Sequence, residues 1–347
     1  MQLVAGSERI VADGGASPLE GQVRWSPEKS LWIGGMTIAA LVFAPLCFSW
    51  SALALFLGTT GVTLCFGHSV GMHRRLIHGG FKCPLWLEYL CVYLGVLVGM
   101  AGPIGMTRIH DLRDWAQRQR DCHPFLRHGQ GFWADAWQQL HCKLHLAHPP
   151  RFELEPRLAS DRVYALLERT WMLQQAPWAL LFWALGGPGW VVWGVCLRVA
   201  VSVTGHWLVG HFAHRQGGQH WIVEGAAVQG FDVGLAGLIS MGESWHNNHH
   251  AFPGSARLGL YPGQADLGWT LIKGFEALGL AWDIVTPDRL PPRAALRPAP
   301  APNRQAPRLR IAGRLSTAIA MSPTAPAAPG RRRSAGARPG GGTPGRR

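Results

Sequence analysis

A long stretch without any charged residue sets the first limit on how this chain can fold. Residues 31–67, 37 in all, contain no Asp, Glu, Lys or Arg. One membrane span needs about 20 residues, so this stretch suits two antiparallel helices of roughly 18 residues each. A second apolar block, 176–212, is interrupted only by Arg198 and has a Gly-Gly-Pro-Gly turn at 186–189. We therefore predict an all-α integral membrane protein with two helical hairpins, whose four spans are about 31–49, 51–70, 172–186 and 189–212.

Residues 84–107 form a third apolar segment, which a bilayer could accommodate in two ways. The segment carries Glu88, a Gly-Pro pair at 102–103 and Gly105. If it crossed the membrane, the histidines before and after it would lie on opposite sides. A helix lying at the membrane interface avoids that separation. We therefore expect an interfacial helix at about 84–105.

The distribution of basic residues predicts the orientation of the chain. The two predicted turns contain no Lys or Arg, whereas Arg24, Lys29, Arg74 and Arg75 flank the opposite ends of the spans. The positive-inside rule then puts both termini and the histidine-rich segments in the cytoplasm, at a bacterial inner membrane. Residues 1–30 lack an apolar signal segment and are expected to be a cytosolic N-terminal segment. Seven Cys without a CxxC pair agree with a reducing compartment.

The net charge of +13 comes almost entirely from the end of the chain. Residues 293–347 contain 12 Arg and no Lys, Asp or Glu, so the rest of the chain is close to neutral. A segment this rich in Pro, Ala, Gly and Arg cannot bury a core, and we expect residues 291–347 to be disordered. Such a tail could contact anionic lipid headgroups. No nucleic-acid-binding fold accompanies it, so a nucleic-acid partner is not expected.

Three histidines near the end of the apolar region predict a metal site. His246, His249 and His250 follow each other at i, i+3 and i+4, which puts all three on one face of a helix. Neutral imidazole binds iron, zinc and copper at neutral pH without adding negative charge near a membrane. Isolated His pairs are usually structural, but a triple at this spacing favours metal binding.

Two further histidine groups also follow apolar segments. His73 and His78 are separated by five positions, which does not put them on one face of an α-helix, so we expect a helix that ends in a loop here. His211 and His214 lie three residues apart at the end of the second apolar block. Their shared position, each at the exit of a span, predicts that these groups meet on one side of the membrane.

These residues resemble the histidine boxes of the membrane-bound acyl-lipid and acyl-CoA desaturases. His73 and His78 match the first box, HxxxxH, and His246, His249 and His250 followed by Ala-Phe-Pro match the third, HxxHH. His214 matches the extra histidine after the last span, and Gly-Leu-Ala-Trp-Asp at 279–283 resembles the segment that closes the catalytic domain. The resemblance covers roughly residues 30–290. It implies a stem of four transmembrane helices under a cytosolic helical cap, within a membrane domain at 31–290.

The resemblance also implies a chemistry. The family inserts a double bond into an acyl chain with O2 and two electrons, using two non-haem iron ions, and the metal centre itself is catalytic. Removing hydrogen from an unactivated methylene group needs a strong oxidant and ligands that withstand it, as imidazoles do. The implied partners are an acyl substrate on coenzyme A, on acyl carrier protein or in a lipid, membrane lipid, and a separate electron donor such as a ferredoxin or a haem protein. The ligands implied by the resemblance are His73, His78, His110, His214, His246, His249 and His250.

The second histidine box departs from the family pattern. The expected HxxHH reads His-Asp-Leu-Arg-Asp from His110, so the two later positions are Arg113 and Asp114. Arg113 is permanently protonated and cannot bind a metal, whereas Asp114 can, because carboxylates are ordinary iron ligands. We therefore add Asp114 to the predicted ligands. The residues expected to orient the ligands are Glu243, Asn247, Arg113 and His211.

Further departures from the desaturase pattern leave more than one function open. Gly210 stands where the family has an Asn. Five other histidines could compensate, although we expect most of them at the surface or beside the ligands: His123, His128, His141, His145 and His148. Three alternatives follow: a two-iron desaturase or a related lipid hydroxylase, a protein with one metal and no oxygen chemistry, or a non-catalytic metal- or lipid-binding relative. The intact first and third boxes favour the first, an oxidoreductase.

Overall fold

A computed structural model describes residues 9–300 of the chain, and this part is mostly helical. The α-helices in chain order are α1 Pro27–Phe43, α2 Trp50–Val62, α3 Leu85–Val96, α4 Pro103–Gln117, α5 Phe132–His141, α6 Pro156–Ala159, α7 Arg162–Thr170, α8 Gln175–Val191, α9 Arg198–Ala213, α10 His246–Ala251 and α11 Leu267–Ala277. Two π-helices, Thr63–Ile77 and Val192–Leu197, continue α2 and α8. Short 3-10 helices lie at Gly234–Ala236 and Pro287–Arg289.

Short β-ribbons correct the expectation of an all-α fold. The strands pair antiparallel, β1 with β4, β2 with β3 and β5 with β6. Their bounds are β1 Ile10–Val11, β2 Ser17–Trp25, β3 Cys142–His148, β4 Arg151–Phe152, β5 Trp221–Val223 and β6 Leu296–Pro298. In the longest ribbon, Leu144 and Leu146 pack with Val23 against a buried cluster, while Lys143 and His145 are exposed. This alternation is the period-2 pattern of a strand, and the cross-strand pairs stabilise it.

Two helices are long and apolar enough to cross a membrane, Trp50–Ile77 and Gln175–Ala213. In their most apolar windows only 28% and 22% of the residues are buried within the chain. A core helix of a soluble protein would be largely buried, so the low burial of these two helices favours contact with a lipid bilayer. The preceding helix α1 is also apolar, and Leu31 and Leu41 on it are more than 70% exposed.

The second long helix contains a sharp break where the sequence predicted a turn. Gly187 has a φ of 69° and a ψ of −165°, which interrupts the helical path, and Pro188 follows it. Only glycine adopts this region readily. The break lies beside the connection between α1 and α2, since the Trp193 indole donates a hydrogen bond to Ala44 O at 3.1 Å and the Trp190 indole donates to Ser51 Oγ at 3.2 Å. The two turns therefore lie together.

The predicted interfacial helix at 84–105 is two helices in the structure. α3 ends at Val96, the chain turns at Gly99 with a φ of 85°, and α4 starts at Pro103. Proline at the first position of a helix costs no hydrogen bond, which explains why a new helix begins there. α3 packs along the first π-helix, and Leu85 and Trp86 at its start remain at least half exposed. The Gly99 turn separates the two helices, and α4 contacts the first π-helix.

Arg198, the single charge in the second apolar block, is buried at 2% exposure. Its guanidinium donates hydrogen bonds to Gly194 O at 2.7 Å, to Gln175 Oε1 at 2.5 Å and to Leu97 O. A charge in an apolar region is tolerated when its hydrogen-bond donors are satisfied in this way. Arg198 therefore ties the second hairpin to the end of α3.

The described part of the chain includes the first ten residues of the predicted tail, 291–300. β6 pairs with β5, and Arg293 donates hydrogen bonds to His250 O and Ala251 O at 2.6 and 2.8 Å. These backbone carbonyls belong to the third histidine box, so the residues just after 291 are held against α10. The rest of the predicted tail, 301–347, lies outside the described residues, as do residues 1–8.

Candidate metal centre

The first histidine box lies at the end of the π-helix Thr63–Ile77, whose last turn holds His73 and whose C-cap is His78. In a π-helix the backbone hydrogen bond runs from i to i+5, and His78 N donates to His73 O at 3.1 Å. The wider turn brings residues five apart to the same side of the helix. The Nε2 atoms of His73 and His78 consequently lie 3.2 Å apart. The expected helix end at this box is confirmed, but the expectation that His73 and His78 lie on different faces was wrong because an α-helical turn was assumed.

Four histidines from three elements form the first group. His110 comes from α4 and His249 from α10, and they join His73 and His78 so that one nitrogen of each lies within 4.8 Å of the others. Three of the four are buried, and His110 is partly buried. The four residues are the two of the first box together with one from each of the other boxes.

Three histidines form the second group. His214 ends α9, and its Nε2 lies 3.0 Å from His246 Nε2, which in turn lies 3.2 Å from His250 Nε2. The His214 Nδ1–H donates to Gly210 O at 2.7 Å, which leaves the Nε2 lone pair free. The group is adjacent to the first because His246, His249 and His250 share one turn of α10, with ring centroids of His246 and His249 5.3 Å apart.

The spacing within both groups fits a bound metal ion. Metal–imidazole bonds of about 2.0–2.1 Å separate neighbouring ligand nitrogens by roughly 3 Å. The Nε2 atoms of three pairs lie 3.0–3.2 Å apart, namely His73–His78, His214–His246 and His246–His250. Imidazole nitrogens at this spacing can share one bound cation.

The electrostatics of the groups keep several imidazoles neutral. Burial, followed by repulsion from the neighbouring histidines, lowers the pKa of His249 well below its usual value. Burial and the adjacent His246 do the same to the pKa of His214. Only a neutral imidazole has a lone pair for a metal, so both rings are in the ligating form at pH 7.

Glu243 lies directly behind the first group. Its Oε2 lies 2.6 Å from His73 Nδ1, and its Oε1 accepts a hydrogen bond from Ser69 Oγ at 2.5 Å. Burial raises the pKa of the Glu243 carboxyl, but His73 and Arg74 outweigh burial and lower it. The ionised carboxylate holds the proton of His73 on Nδ1 and turns Nε2 towards the other ligands.

The two arginines between the histidines of the first box anchor it on both sides. Arg74 is 1% exposed and forms ion pairs with Asp266 at 2.8 Å and with Glu243 at 3.3 Å. Arg75 pairs at 2.5 Å with Glu88, which is buried on α3. Breaking a buried pair leaves an uncompensated charge, so these contacts fix the π-helix firmly in place.

Asn247, predicted to orient a ligand, hydrogen-bonds to backbone instead. Its Oδ1 accepts from His220 N and Trp221 N at 2.8 and 2.9 Å, and its Nδ2 donates to Gly230 O at 2.9 Å. No hydrogen bond from its side chain to an imidazole is found in the described part of the chain. Asn247 therefore fastens α10 to β5 and positions the third box as a unit.

Asp114 lies near both groups without belonging to either. Its Oδ2 forms an ion pair with Arg118 at 2.8 Å. Burial raises the pKa of its carboxyl, but His110 and Arg118 outweigh burial and lower it. The side chain lines a small pocket together with Arg118, His249, His250 and Arg293. Asp114 is therefore an ionised carboxylate beside the two histidine groups.

Arg113 and His211, the other two residues expected near the ligands, meet at a third cluster. His128 Nδ1 and His211 Nδ1 lie 2.9 and 2.7 Å from Asp135 Oδ2, and the Trp207 indole donates to the same oxygen at 2.8 Å. Arg113 Nη1 contacts His128 Nε2. Distances below 3 Å with an indole N–H on the shared oxygen are those of hydrogen bonds, so we describe these residues as a hydrogen-bonded cluster.

Sequence reasoning missed Asp135 and singled out His128 only within a set of five histidines. Asp135 has no ligand-like spacing, and its signal was only an acidic residue in the first turn of α5. His128 is 3% exposed, whereas His145 and His148 lie on the exposed side of β3. His123 and His141 are partly buried.

Comparison with known proteins identifies the family. Residues 31–260 match the sequence model described as fatty acid desaturase. The chain is 34% identical over 280 residues to the sn-1 stearoyl-lipid 9-desaturase of Anabaena variabilis, covering 79% of this chain and 98% of that one. It is 32% identical over 294 residues to the sn-2 palmitoyl-lipid 9-desaturase of a Nostoc species (82% and 96% covered). It is 32% identical over 262 residues to the acyl-CoA C20 Delta5-desaturase of Anemone leveillei (75% and 82% covered).

These matches confirm the resemblance drawn from the histidine boxes and the expectation of an oxidoreductase. They cover the stem, the boxes and almost the full length of the two cyanobacterial relatives. The chain belongs to the fatty acid desaturase family of membrane enzymes.

Proposed function

We propose that this chain is a two-iron desaturase that converts a –CH2–CH2– unit of an acyl chain into –CH=CH–. The two hydrogens removed, two protons and two electrons from a separate donor reduce one O2 to two waters. The observation that carries the proposal is the presence of seven imidazoles in two adjacent groups at the end of an apolar stem. Two iron ions bound by these imidazoles would supply the O2 chemistry.

Neighbouring residues hold two of the ligand imidazoles, His73 and His214, in fixed orientations. Glu243 keeps the His73 proton on Nδ1, Arg74 fixes Glu243, and the Gly210 carbonyl keeps the His214 proton on Nδ1. Each contact aims an Nε2 lone pair into its group, so little reorganisation is needed when a metal binds.

We further propose that Asp114 contributes to the second group, which has three imidazoles where the first has four. The support is its ionised state and its place beside His250 in one pocket. A carboxylate adds a negative charge where a family member has a neutral imidazole. An anionic oxygen ligand stabilises the higher charge states of iron.

Four spans with the metal centre on the cytoplasmic side are the arrangement we propose in the membrane. The two turns, at the α1–α2 connection and at Gly187, contact each other. From these turns the chain runs back to His78 at the end of one π-helix and to His214 at the end of α9. Neither turn carries Lys or Arg, which favours the periplasmic side for them.

The substrate we propose is a long acyl chain carried by coenzyme A, by a carrier protein or in a lipid. Its apolar tail would enter the stem, and exclusion of water would protect the reaction. The electron donor we propose is a separate protein, such as a ferredoxin or a haem protein.

Fatty-acid analysis of a bacterial host tests the proposed reaction. Expression of the chain should produce an unsaturated acyl chain that is missing from the empty-vector host, and His249→Ala should abolish it because it removes a ligand. Products with an added hydroxyl would support the related hydroxylase instead. An unchanged fatty-acid profile, with the chain present in the membrane fraction and a suitable donor co-expressed, would contradict catalysis.

A further inference from the structure

A buried polar cluster lies beside the second histidine group and, apart from Arg113 of the second box, uses residues outside the histidine boxes. It consists of Arg113, His128, Asp135, His211 and Trp207, and we call it the Asp135 cluster. Asp135 has no exposed surface, and His128 and His211 are 3% and 4% exposed. Each of its hydrogen bonds is therefore shielded from water and correspondingly strong.

The positive charge of Arg113 balances the negative charge of Asp135, and the imidazole of His128 lies between them. His128 donates its Nδ1–H to Asp135 and consequently offers the Nε2 lone pair to Arg113, which can only donate. A second guanidinium nitrogen of Arg113 donates to Gln139 Oε1 at 2.8 Å. With both faces of its ring engaged, His128 has no nitrogen left for a metal. Arg113 is likewise held in the cluster by two partners.

The cluster reaches the second group through α9. His211 lies three residues before His214, so the hydrogen bond to Asp135 fixes the last turn of that helix. The rings of His128 and His214 are also nearly parallel, with centroids 5.4 Å apart. Any side chain at Gly210 would begin 3.2 Å from His128 Nε2, which is tighter than an ordinary contact. The absence of a side chain at 210 therefore makes room for His128.

The backbone of His128 gives a second, independent sign that this placement matters. His128 has a φ of 53°, a left-handed conformation that costs energy for any residue except glycine. It is held there by Arg215, which donates to His128 O at 2.9 Å. A strained backbone conformation persists only where surrounding contacts hold it in place, and such residues concentrate at functional sites.

We propose that the Asp135 cluster is a positioning unit that replaces the lost imidazole of the second box and is required for metal binding at the second histidine group. This unit links two departures from the family pattern. Gly210, in place of an Asn, leaves room for the His128 ring, and Arg113, in place of a histidine, contacts that ring. The inference rests on the proposed two-metal function. Its residues act through His214 and do not touch the metal themselves.

Iron content of the detergent-purified full chain tests this inference. Arg113→Met and Asp135→Asn should each weaken iron at the second group about 10- to 100-fold, so that the chain retains the iron of the first group only. Arg127→Met and Asp121→Asn are matched controls, because this neighbouring ion pair is exposed, and they should keep the full iron content. The unfolding temperature of each metal-free protein is measured in parallel.

Each result is decisive for one of the two proposals. If Arg113→Met and Asp135→Asn unfold at lower temperature but keep two irons per folded chain, the cluster is merely structural and the inference is overturned. If the unaltered chain itself binds fewer than two irons, the proposed function fails first.

The double variant Arg113→Met/Asp135→Asn separates charge balance from positioning. Removing both charges should restore the unfolding temperature of the metal-free protein relative to the single variants. Iron should stay low, because His128 and His211 lose the carboxylate that orients them. Full recovery of iron would show that the cluster only balances charge, which contradicts the inference.

Two substitutions of His128 test the inference while leaving Arg113 and Asp135 unchanged. His128→Gln can still accept from Arg113 and donate to Asp135, so it should retain more second-group iron than His128→Ala. Both variants carry the same left-handed backbone strain at this position, so that strain does not account for a difference between them. Equal iron contents in the two variants would show that the hydrogen bonds of residue 128 to Arg113 and Asp135 do not matter for iron binding, which contradicts the inference.

Discussion

His73 shows how one carboxylate prepares an imidazole for a metal. Glu243 is ionised, lies against Nδ1 of the ring and is itself held by Ser69 and Arg74. The spacing of the boxes predicted His73 as a ligand, and Glu243 was expected to orient an imidazole. Which imidazole it orients could not be predicted, because Glu243 and His73 are 170 residues apart in sequence and meet only through tertiary packing.

Replacing Glu243 by Gln should lower iron affinity about 10- to 100-fold, since an amide no longer fixes the tautomer of His73 as a carboxylate does. Iron per chain at limiting iron concentration is the measurement. Glu276→Gln is the control, because Glu276 is exposed on α11 and distant from the boxes in sequence. Unchanged iron binding in Glu243→Gln would show that the carboxylate is dispensable.

Asp114 tests the divergent second box. Asp114→Ala should lower iron occupancy and with it the yield of unsaturated product, because the second group would keep only its three imidazoles. Asp114→His restores the imidazole of the family pattern and should recover iron relative to Asp114→Ala. Asp13→Ala, at an exposed carboxylate, should match the unaltered chain. Full iron and activity in Asp114→Ala would remove Asp114 from the ligands.

At the scale of single elements, the π-helix is the feature that the sequence did not reveal. The pattern of apolar residues predicted a helix here, but periodicity at this length does not distinguish 3.6 residues per turn from a wider turn. The π-helix packs tightly on α3, and glycines mark the contact. A Cβ at Gly71 would lie 2.5 Å from the backbone carbon of Cys91. The short ribbon of β2 and β3 was also missed, because its partners are far apart in sequence.

Gly71→Ala should therefore destabilise the protein by about 1–3 kcal/mol, the usual cost of overpacking. The thermal unfolding temperature in detergent is the measurement. Gly61→Ala is the matched control, since it lies in the preceding helix with nothing within 4 Å of the added Cβ. Its helix should be unchanged or more stable by about 0.5–1 kcal/mol. Equal losses in both variants would mean that the close packing of the π-helix on α3 is unimportant.

At the scale of the whole molecule, hydropathy predicted the stem and the meeting of the histidine groups. The break at Gly187 lies within the predicted turn at 186–189, and the seven predicted histidine ligands all lie in the two groups. The ends of the predicted segments were less accurate. Residues 84–105 are two helices because of one glycine turn, and the described chain beyond 291 includes β6, which finds a partner strand. Such pairings depend on distant residues and leave little local signal.

Labelling of the native Cys47 tests the proposed orientation of the chain in the membrane without the introduction of a new cysteine. It lies in the turn between α1 and α2 and is partly exposed. A membrane-impermeant maleimide added to spheroplasts should label the chain, and Cys47→Ser should remove that labelling. Labelling that appears only after the cells are lysed would put this turn, and with it the orientation, on the other side of the membrane.

The number of iron ions per chain tests the central claim most directly, since the whole account depends on two adjacent metal positions. The detergent-purified full chain, reconstituted with ferrous iron and freed of excess metal, should bind about two irons, in keeping with one ion for each histidine group. His249→Ala and His246→Ala should each lose the iron of their own group. An unaltered chain that binds one iron or none would contradict the two-iron centre.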